Sequence, residues 1–92
     1  MLSKDDVLVF LYERRDRKVS IIEICDYVEN SDIRQVGRFI ENIVYTEHLI
    51  SPVIEREDII NNTLRQRIKN IEIYYQITDN GVNYLDRKGL IK

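Results

Sequence analysis

The segment from Tyr75 to Leu85, YQITDNGVNYL, constrains the fold most, because it joins a strand pattern directly to the start of a helix. Thr78 is a good cap for that helix, since its hydroxyl can accept a backbone N–H left unpaired in the first turn. Asp79 follows at the positive end of the helix dipole, which favours a carboxylate. The pattern predicts a strand that ends here and a closing helix that runs to about Lys88.

Helix-forming sequence also precedes this junction. Ser3 and Asp6 have the spacing of a capping box and predict a first helix from Lys4 to about Arg17. The apolar residues of that helix are consecutive, at positions 7–12, so they surround the helix instead of forming one stripe. One side of the helix therefore needs a second partner. That partner is either the rest of the domain or another subunit, and we favour a subunit because the chain is short.

The next two helix patterns form a helix-turn-helix. Ser20 and Glu23 have the spacing of a second capping box, and apolar residues then recur at helical spacing as far as Val28. Cys25 lies on that apolar side, so we interpret it as a small buried hydrophobic residue and not as a reactive thiol. A short break precedes a third helix predicted at about 32–48. The second helix of such a pair can lie in the major groove of DNA.

The third helix separates its residue types onto two sides. The side predicted to be buried contains Ile33, Val36, Ile40, Ile43 and Val44, with Gly37 allowing close packing. The opposite side contains Arg34, Gln35, Arg38 and Asn42. Arginine pairs with guanine and asparagine or glutamine with adenine, although any helix of a soluble protein also turns polar residues outward. The position of this side on the second helix of a helix-turn-helix favours DNA contact.

After Pro52 the pattern changes from helix to strand. Segments 53–57 and 71–77 predict two strands paired as a hairpin, and Val19 predicts a short bridge to the same sheet. Between these strands, Ile59, Ile60 and Ile68 have no assigned partner unless the strands extend further and hold them on one face. The connection at about 58–70 is predicted to be a long basic loop, the wing. Its cations would enter a minor groove or follow the DNA backbone, while the alternative is a solvated hairpin tip kept soluble by charge. They are Arg65, Arg67 and Lys69.

Composition limits the function classes. The formal net charge is −2 for 92 residues, which argues weakly against a nucleic-acid partner because phosphate binders usually carry a basic excess. A single cysteine, Cys25, and a single histidine, His48, do not provide a credible ligand set for a metal. Neither a glycine-rich phosphate loop nor a nucleophile elbow is present. We therefore expect no enzyme activity, no cofactor and no metal site.

The sequence also predicts a single domain over residues 1–92, located in the cytoplasm. No run approaches the roughly 20 apolar residues that a membrane-spanning helix needs. The N-terminal residues lack the basic start and the small-residue cleavage site of a signal peptide. The lone cysteine agrees with a reducing compartment.

The order of helix, helix-turn-helix, two-stranded wing and closing helix resembles the winged-helix family of transcription regulators. The junction is similar to that of PadR-like and MarR-like regulators and of small winged-helix proteins from archaea and their viruses. It reads Tyr75-x-Ile77-Thr78-x-x-Gly81-x-x-Tyr84-Leu85. The resemblance implies an α+β fold with a three-helix core, a two- or three-stranded wing and a short C-terminal helix. It also implies that DNA is contacted by the recognition helix through Arg34, Gln35, Arg38 and Asn42, and by the wing through Arg65, Arg67 and Lys69.

PadR-like and MarR-like proteins dimerise through long additional helices, whereas this chain stops soon after its wing. The expected dimer interface is therefore the apolar surface of the first helix together with the C-terminal residues, namely Val9, Phe10, Tyr12, Leu90 and Ile91. The expected function is sequence-specific binding of double-stranded DNA by a homodimeric transcriptional regulator. The alternatives are a winged-helix module that binds protein and a protein that coats DNA without sequence preference.

Overall fold

The computed structural model describes the backbone of residues 2–61 and 66–91 and the side chains of residues 2–55 and 73–91. Within these ranges the helices are α1 (Lys4–Glu13), α2 (Ile21–Val28), α3 (Ile33–Asn42) and α4 (Asp79–Arg87). The strands β1 (Val19–Ser20), β2 (Ile50–Asn61) and β3 (Gln66–Ile77) form one antiparallel sheet in the order β1-β3-β2. The predicted α+β class is confirmed. Among the described residues, no helix combines the length and the apolar content needed to cross a bilayer.

Each helix begins at a residue whose side chain caps it. The caps accept a hydrogen bond from the backbone N–H three residues later, which satisfies a donor that the first turn leaves free. At Ser20 the capping box is complete, because Glu23 also accepts from the Ser20 amide. The predicted helix starts are confirmed by the caps Ser3, Ser20, Asp32 and Thr78.

The end of α1 differs from the prediction. The helix stops at Glu13, one turn before the predicted end at about Arg17. Arg14 and Arg15 turn back and donate guanidinium hydrogen bonds to the carbonyl oxygens of Phe10 (3.3 Å) and Tyr12 (2.8 Å). Carbonyls of a last turn have no amide donor within the helix, so these arginines cap the helix instead of extending it.

α1 lies at the centre of the fold and packs against α2, α4 and β3. Because elements of the same chain surround it, apolar residues on several of its sides are buried at once. The rest of the domain therefore covers much of the apolar run for which we favoured a second subunit. The core contributions of this helix are Val7, Leu8, Phe10 and Leu11, with Val9 and Tyr12 partly buried against them.

α3 continues into a π-helical turn at Ile43–Glu47, where the His48 amide donates to the Ile43 carbonyl oxygen five residues back, at 3.0 Å. The predicted extent of the third helix is thus nearly correct, but its last turn is wider than an α-helical one. Two predictions on its apolar side were wrong. Ile33 is 49% exposed because it begins the helix, beyond the core, and a Cβ added at Gly37 would meet nothing within 4 Å. The burial of Val36, Ile40, Ile43 and Val44 is confirmed.

The predicted long loop at 58–70 was also wrong, because β2 and β3 pair continuously from Ile50↔Ile77 to Asn61↔Gln66. The ladder is made by backbone groups, which charged residues supply as well as apolar ones, so composition underestimated the length of both strands. Pro52 is compatible with β2 because β2 is an edge strand of the sheet. The predicted bridge at Val19 is confirmed by its pairing with Tyr75.

α4 ends at Arg87, close to the predicted end at about Lys88, and Gly89 follows with a φ of +70°. The amides of Gly89 and Leu90 donate to the carbonyl oxygens of Asp86 and Leu85, both at 3.0 Å, which is the bonding pattern of a Schellman motif. This turn directs the chain back, so that Ile91 packs partly buried against the core.

Replacing Tyr84 with phenylalanine is expected to raise the pKa of Asp5. The Tyr84 hydroxyl donates to Asp5 at 2.7 Å and, together with the Lys88 ammonium at 3.2 Å, holds the pKa of that carboxyl below its ordinary value. A carboxyl with a lowered folded-state pKa stabilises the fold above its unfolded pKa of about 3.9, and this contribution is lost as pH falls through the folded-state pKa.

NMR titration of the Asp5 carboxyl should therefore give a higher pKa in Tyr84→Phe than in the parent chain. Urea unfolding should show the variant less stable than the parent at about pH 7, with a smaller difference at about pH 2. The same Asp5 pKa in both chains would contradict the prediction.

Candidate nucleic-acid interface

The turn between α2 and α3 is held by side chains. Glu29 leaves α2 with a φ of 55°, and the Asn30 Oδ1 then accepts from the Asp32 amide at 2.9 Å. The Asn30 side-chain amide donates to Gln35 Oε1 at 2.9 Å. The backbone N–H of Gln35 donates to Asp32 Oδ1 at 3.2 Å. These bonds fix how α3 leaves α2. Sequence reasoning missed the role of Asn30, although its place two residues before a capping aspartate was a usable signal.

The four residues predicted to contact DNA on α3 are all exposed on the helix: Arg34, Gln35, Arg38 and Asn42. The side-chain oxygen of Gln35 (Oε1) accepts from the Asn30 side chain. The side-chain oxygen of Asn42 (Oδ1) accepts from the Thr46 hydroxyl at 3.2 Å. Both amide side chains are thereby oriented while retaining free donors. Arg34 and Arg38 are one helical turn apart, so their guanidinium groups can reach neighbouring positions of a ligand.

Arg34 and Arg38 differ from the other cations that the structure describes. Neither guanidinium has a hydrogen bond, an ion pair or a ring contact within the described residues. Elsewhere in the described residues, carboxylates pair with five cations, in the pairs Lys4–Glu47, Arg14–Glu13, Arg17–Glu23, Lys18–Glu55 and Lys88–Asp5. The remaining two have no ion pair but donate to helix carbonyls, Arg15 to Tyr12 and Arg87 to Asn83. Within the described residues, Arg34 and Arg38 are thus the cations that have neither an ion pair nor a hydrogen bond, and both lie on the exposed side of α3.

A small apolar cleft of about 70 Å³ lies beyond the end of α3, where the π-helical turn meets the base of the hairpin. Its exposed apolar side chains are Tyr45 (73% exposed), Ile54 (54%) and Ile73 (45%). Burial, with Glu41 and Tyr45 nearby, raises the pKa of Tyr75, so the phenol on this cleft stays neutral at physiological pH. The sequence signal for the cleft was the facing pair Ile54↔Ile73, which sequence reasoning did not connect to the third helix.

The wing cations are only partly located. Arg65 lies outside the described residues, and so do the side chains of Arg67 and Lys69. The backbone of Arg67 pairs with Ile60 and that of Lys69 with Asp58, both in the outer half of the hairpin. The described residues therefore give no distance between these side chains and the α3 residues.

The residues predicted for a dimer interface occupy different environments. Phe10 is only 5% exposed and stacks on Tyr27, with ring centroids 4.4 Å apart, so it offers little surface to a second chain. Leu90 is 43% exposed. Val9, Tyr12 and Ile91 are partly buried against the core.

The cysteine and the histidine have structural positions. Cys25 is buried, and burial raises the pKa of its thiol, which confirms its interpretation as a small hydrophobic residue. His48 ends the π-helical turn in a left-handed conformation, with a φ of 58°.

Comparisons of the chain with protein-family models, with curated proteins and with solved structures found no match. The observed arrangement of four helices and a three-stranded antiparallel sheet is compatible with a winged-helix-like architecture. A function must therefore be inferred from the site itself.

Proposed function

We propose that this chain is a winged-helix transcriptional regulator that binds double-stranded DNA in a sequence-specific manner. The observation that carries the proposal is the pair of guanidinium groups, Arg34 and Arg38, which lie on the exposed side of α3 and have no partner among the described residues. Arginine recognises guanine by donating two hydrogen bonds to O6 and N7 in the major groove. Asn42 and Gln35 keep free side-chain N–H donors, which suit the N7 acceptor of adenine, and each side-chain oxygen keeps a second lone pair.

The negative net charge is compatible with this proposal because several acidic groups form ion pairs with cations other than Arg34 and Arg38. Asp5, Glu23, Glu47 and Glu55 are each paired with a cation inside the chain. Pairing neutralises much of their field, whereas Arg34 and Arg38 keep theirs. α3 itself contains two arginines and one glutamate, Glu41, so its formal charge is positive although that of the whole chain is negative.

In this proposal α3 lies in the major groove and the β2–β3 hairpin acts as the wing. Its cations Arg65, Arg67 and Lys69 would contact the flanking backbone or minor groove. A homodimer would place two copies of α3 on an inverted repeat. The exposed apolar cleft at Tyr45 favours a second candidate function, a winged-helix module that binds another protein.

Selection of duplexes from a randomised pool, followed by fluorescence anisotropy across a salt series, tests the proposal. A regulator should bind the selected duplex at least about a thousandfold more tightly than a scrambled duplex at physiological salt. Equal, salt-sensitive binding to both duplexes would indicate nonspecific coating. No binding even at low salt would contradict DNA binding and leave the protein-binding module.

Replacing Arg67 and Lys69 with alanine is expected to weaken binding to selected and scrambled duplexes by similar factors. Each phosphate contact contributes about 0.9 to the slope of log affinity against log salt, so the slope should become shallower by about 2. The control Arg15→Ala with Arg87→Ala removes the same charge from the turn after α1 and from α4. If the control changes the slope equally, the wing cations make no specific phosphate contacts.

A further inference from the structure

The apolar cleft lies at the end of the exposed side of α3, in line with the residues proposed to contact DNA. Helical spacing places Arg34, Arg38 and Asn42 successively along that side, and the π-helical turn carries Tyr45 beyond them. Of the seven large apolar side chains exposed in the described part of the chain, three line this cleft: Tyr45, Ile54 and Ile73. Such clustering distinguishes the cleft from apolar residues scattered singly over a surface.

The size and lining of the cleft restrict what it can accept. A volume of about 70 Å³ suits a small group, such as a methyl group, that enters from the open side of the cleft. The walls formed by Val44, Pro52, Ile54 and Ile73 are apolar. A small apolar group placed against these walls would lose contact with water, which is favourable.

Glu41 indicates which part of DNA could approach the cleft, the phosphodiester backbone or the edge of a base pair. Its carboxylate lines the cleft, is exposed, and has no ion pair within the described residues. A phosphodiester strand at this place would bring like charges together, which is unfavourable, whereas the edge of a base pair carries no formal charge. Among base edges in the major groove, the apolar group is the C5-methyl of thymine.

We propose that the cleft formed by Tyr45, Pro52, Ile54 and Ile73 receives a thymine C5-methyl group and so specifies a T·A pair at one end of the binding site. The inference rests on the proposed DNA-binding function. It assigns base recognition to the base of the hairpin as well as to the polar side of α3.

Deoxyuridine scanning tests the inference, because deoxyuridine lacks only the C5-methyl group. Each thymine of the selected duplex would be replaced in turn, and the Kd measured by fluorescence anisotropy. We expect the affinity to fall about fourfold at one thymine per half-site, the change that burial of one methyl group of ~0.8 kcal/mol produces. Other thymines should be insensitive to the replacement.

Two variants connect the effect to the cleft. Ile54→Ala should abolish the fourfold preference for thymine over deoxyuridine, because it removes a wall of the cleft. Ile22→Ala is the matched control, since Ile22 and Ile54 are both 54% exposed and Ile22 lies on α2. The control should keep the preference. Circular dichroism and thermal unfolding would verify that both variants fold.

Each outcome separates this inference from the proposed function. A selected duplex that binds tightly but shows no thymine dependence overturns the cleft assignment and leaves sequence-specific binding intact. A thymine preference that persists in Ile54→Ala also overturns it, since the methyl group is then recognised elsewhere. Failure to bind any duplex overturns the proposed function and this inference together.

Discussion

Alanine at both Arg34 and Arg38 is expected to lower the affinity for the selected duplex by about 30-fold or more. Each arginine–guanine contact contributes at least ~1 kcal/mol of discrimination, and the two contacts lie on one helix side with no other described cation to replace them. Affinity for a scrambled duplex should fall much less. The ratio of the two dissociation constants, measured by anisotropy at fixed salt, is therefore the quantity to compare.

The matched control for this pair is again Arg15→Ala with Arg87→Ala. These residues donate to the carbonyl oxygens of Tyr12 and Asn83, on helices away from α3, and their removal changes the net charge equally. Specific and nonspecific affinities should change in parallel in the control. If the Arg34 and Arg38 variant also lowers both affinities in parallel, α3 contributes charge but does not recognise sequence.

Gly81→Ala should be strongly destabilising, by ~2 kcal/mol, the cost expected of overpacking a core. A Cβ at this position would lie within 3.0 Å of the Leu49 carbonyl oxygen and of Ile77 Cγ1. The Leu49 carbonyl is not free to move, because the Thr78 amide donates to it at 3.1 Å. In a domain of this size the thermal midpoint should fall by about 8–16 °C, measured by calorimetry or circular dichroism.

Gly37→Ala provides the contrasting substitution in the same chain. Gly37 is inside α3, and a Cβ there meets nothing within 4 Å. Alanine in a helix interior is favoured over glycine by ~1 kcal/mol, so this variant should be more stable than the parent. Equal destabilisation by both substitutions would contradict the steric explanation for Gly81.

Helix starts were predictable because their causes are local. A cap such as Ser20 or Thr78 bonds to an amide three residues away, and that spacing is visible in the sequence. Which element covers each side of a helix is a long-range property. The apolar run of α1 therefore gave the correct helix, but it did not reveal that α2, α4 and β3 surround it.

The hairpin shows a second limit. Its outer half contains charged residues, and strand prediction depends on apolar alternation that is produced by burial on one side. The backbone pairing Asp58↔Lys69 requires no such alternation. Sequence pattern consequently predicted the inner half of the hairpin, near Ile54 and Ile73, and assigned the outer half to a loop.

The residues of the candidate site were predictable from the sequence, but whether they have partners was not. Periodicity placed Arg34 and Arg38 on the exposed side of α3. Their lack of partners within the described residues could not be predicted, because ion pairs can form between residues that are far apart along the chain. Lys4 pairs with Glu47, 43 residues away. The cleft at Tyr45 likewise needs α3 and the hairpin to be placed together in three dimensions.

The wide turn at Ile43–Glu47 has a consequence for evolutionary comparison. A π-type turn closes its hydrogen bond over five residues where an α-helix uses four, so it holds one residue more. When this chain is aligned with a related chain whose third helix is α-helical throughout, one position between Asn42 and His48 should be left without a counterpart. Without that gap, every residue from the turn to β2 would be matched to a neighbour about 100° away around the helix axis.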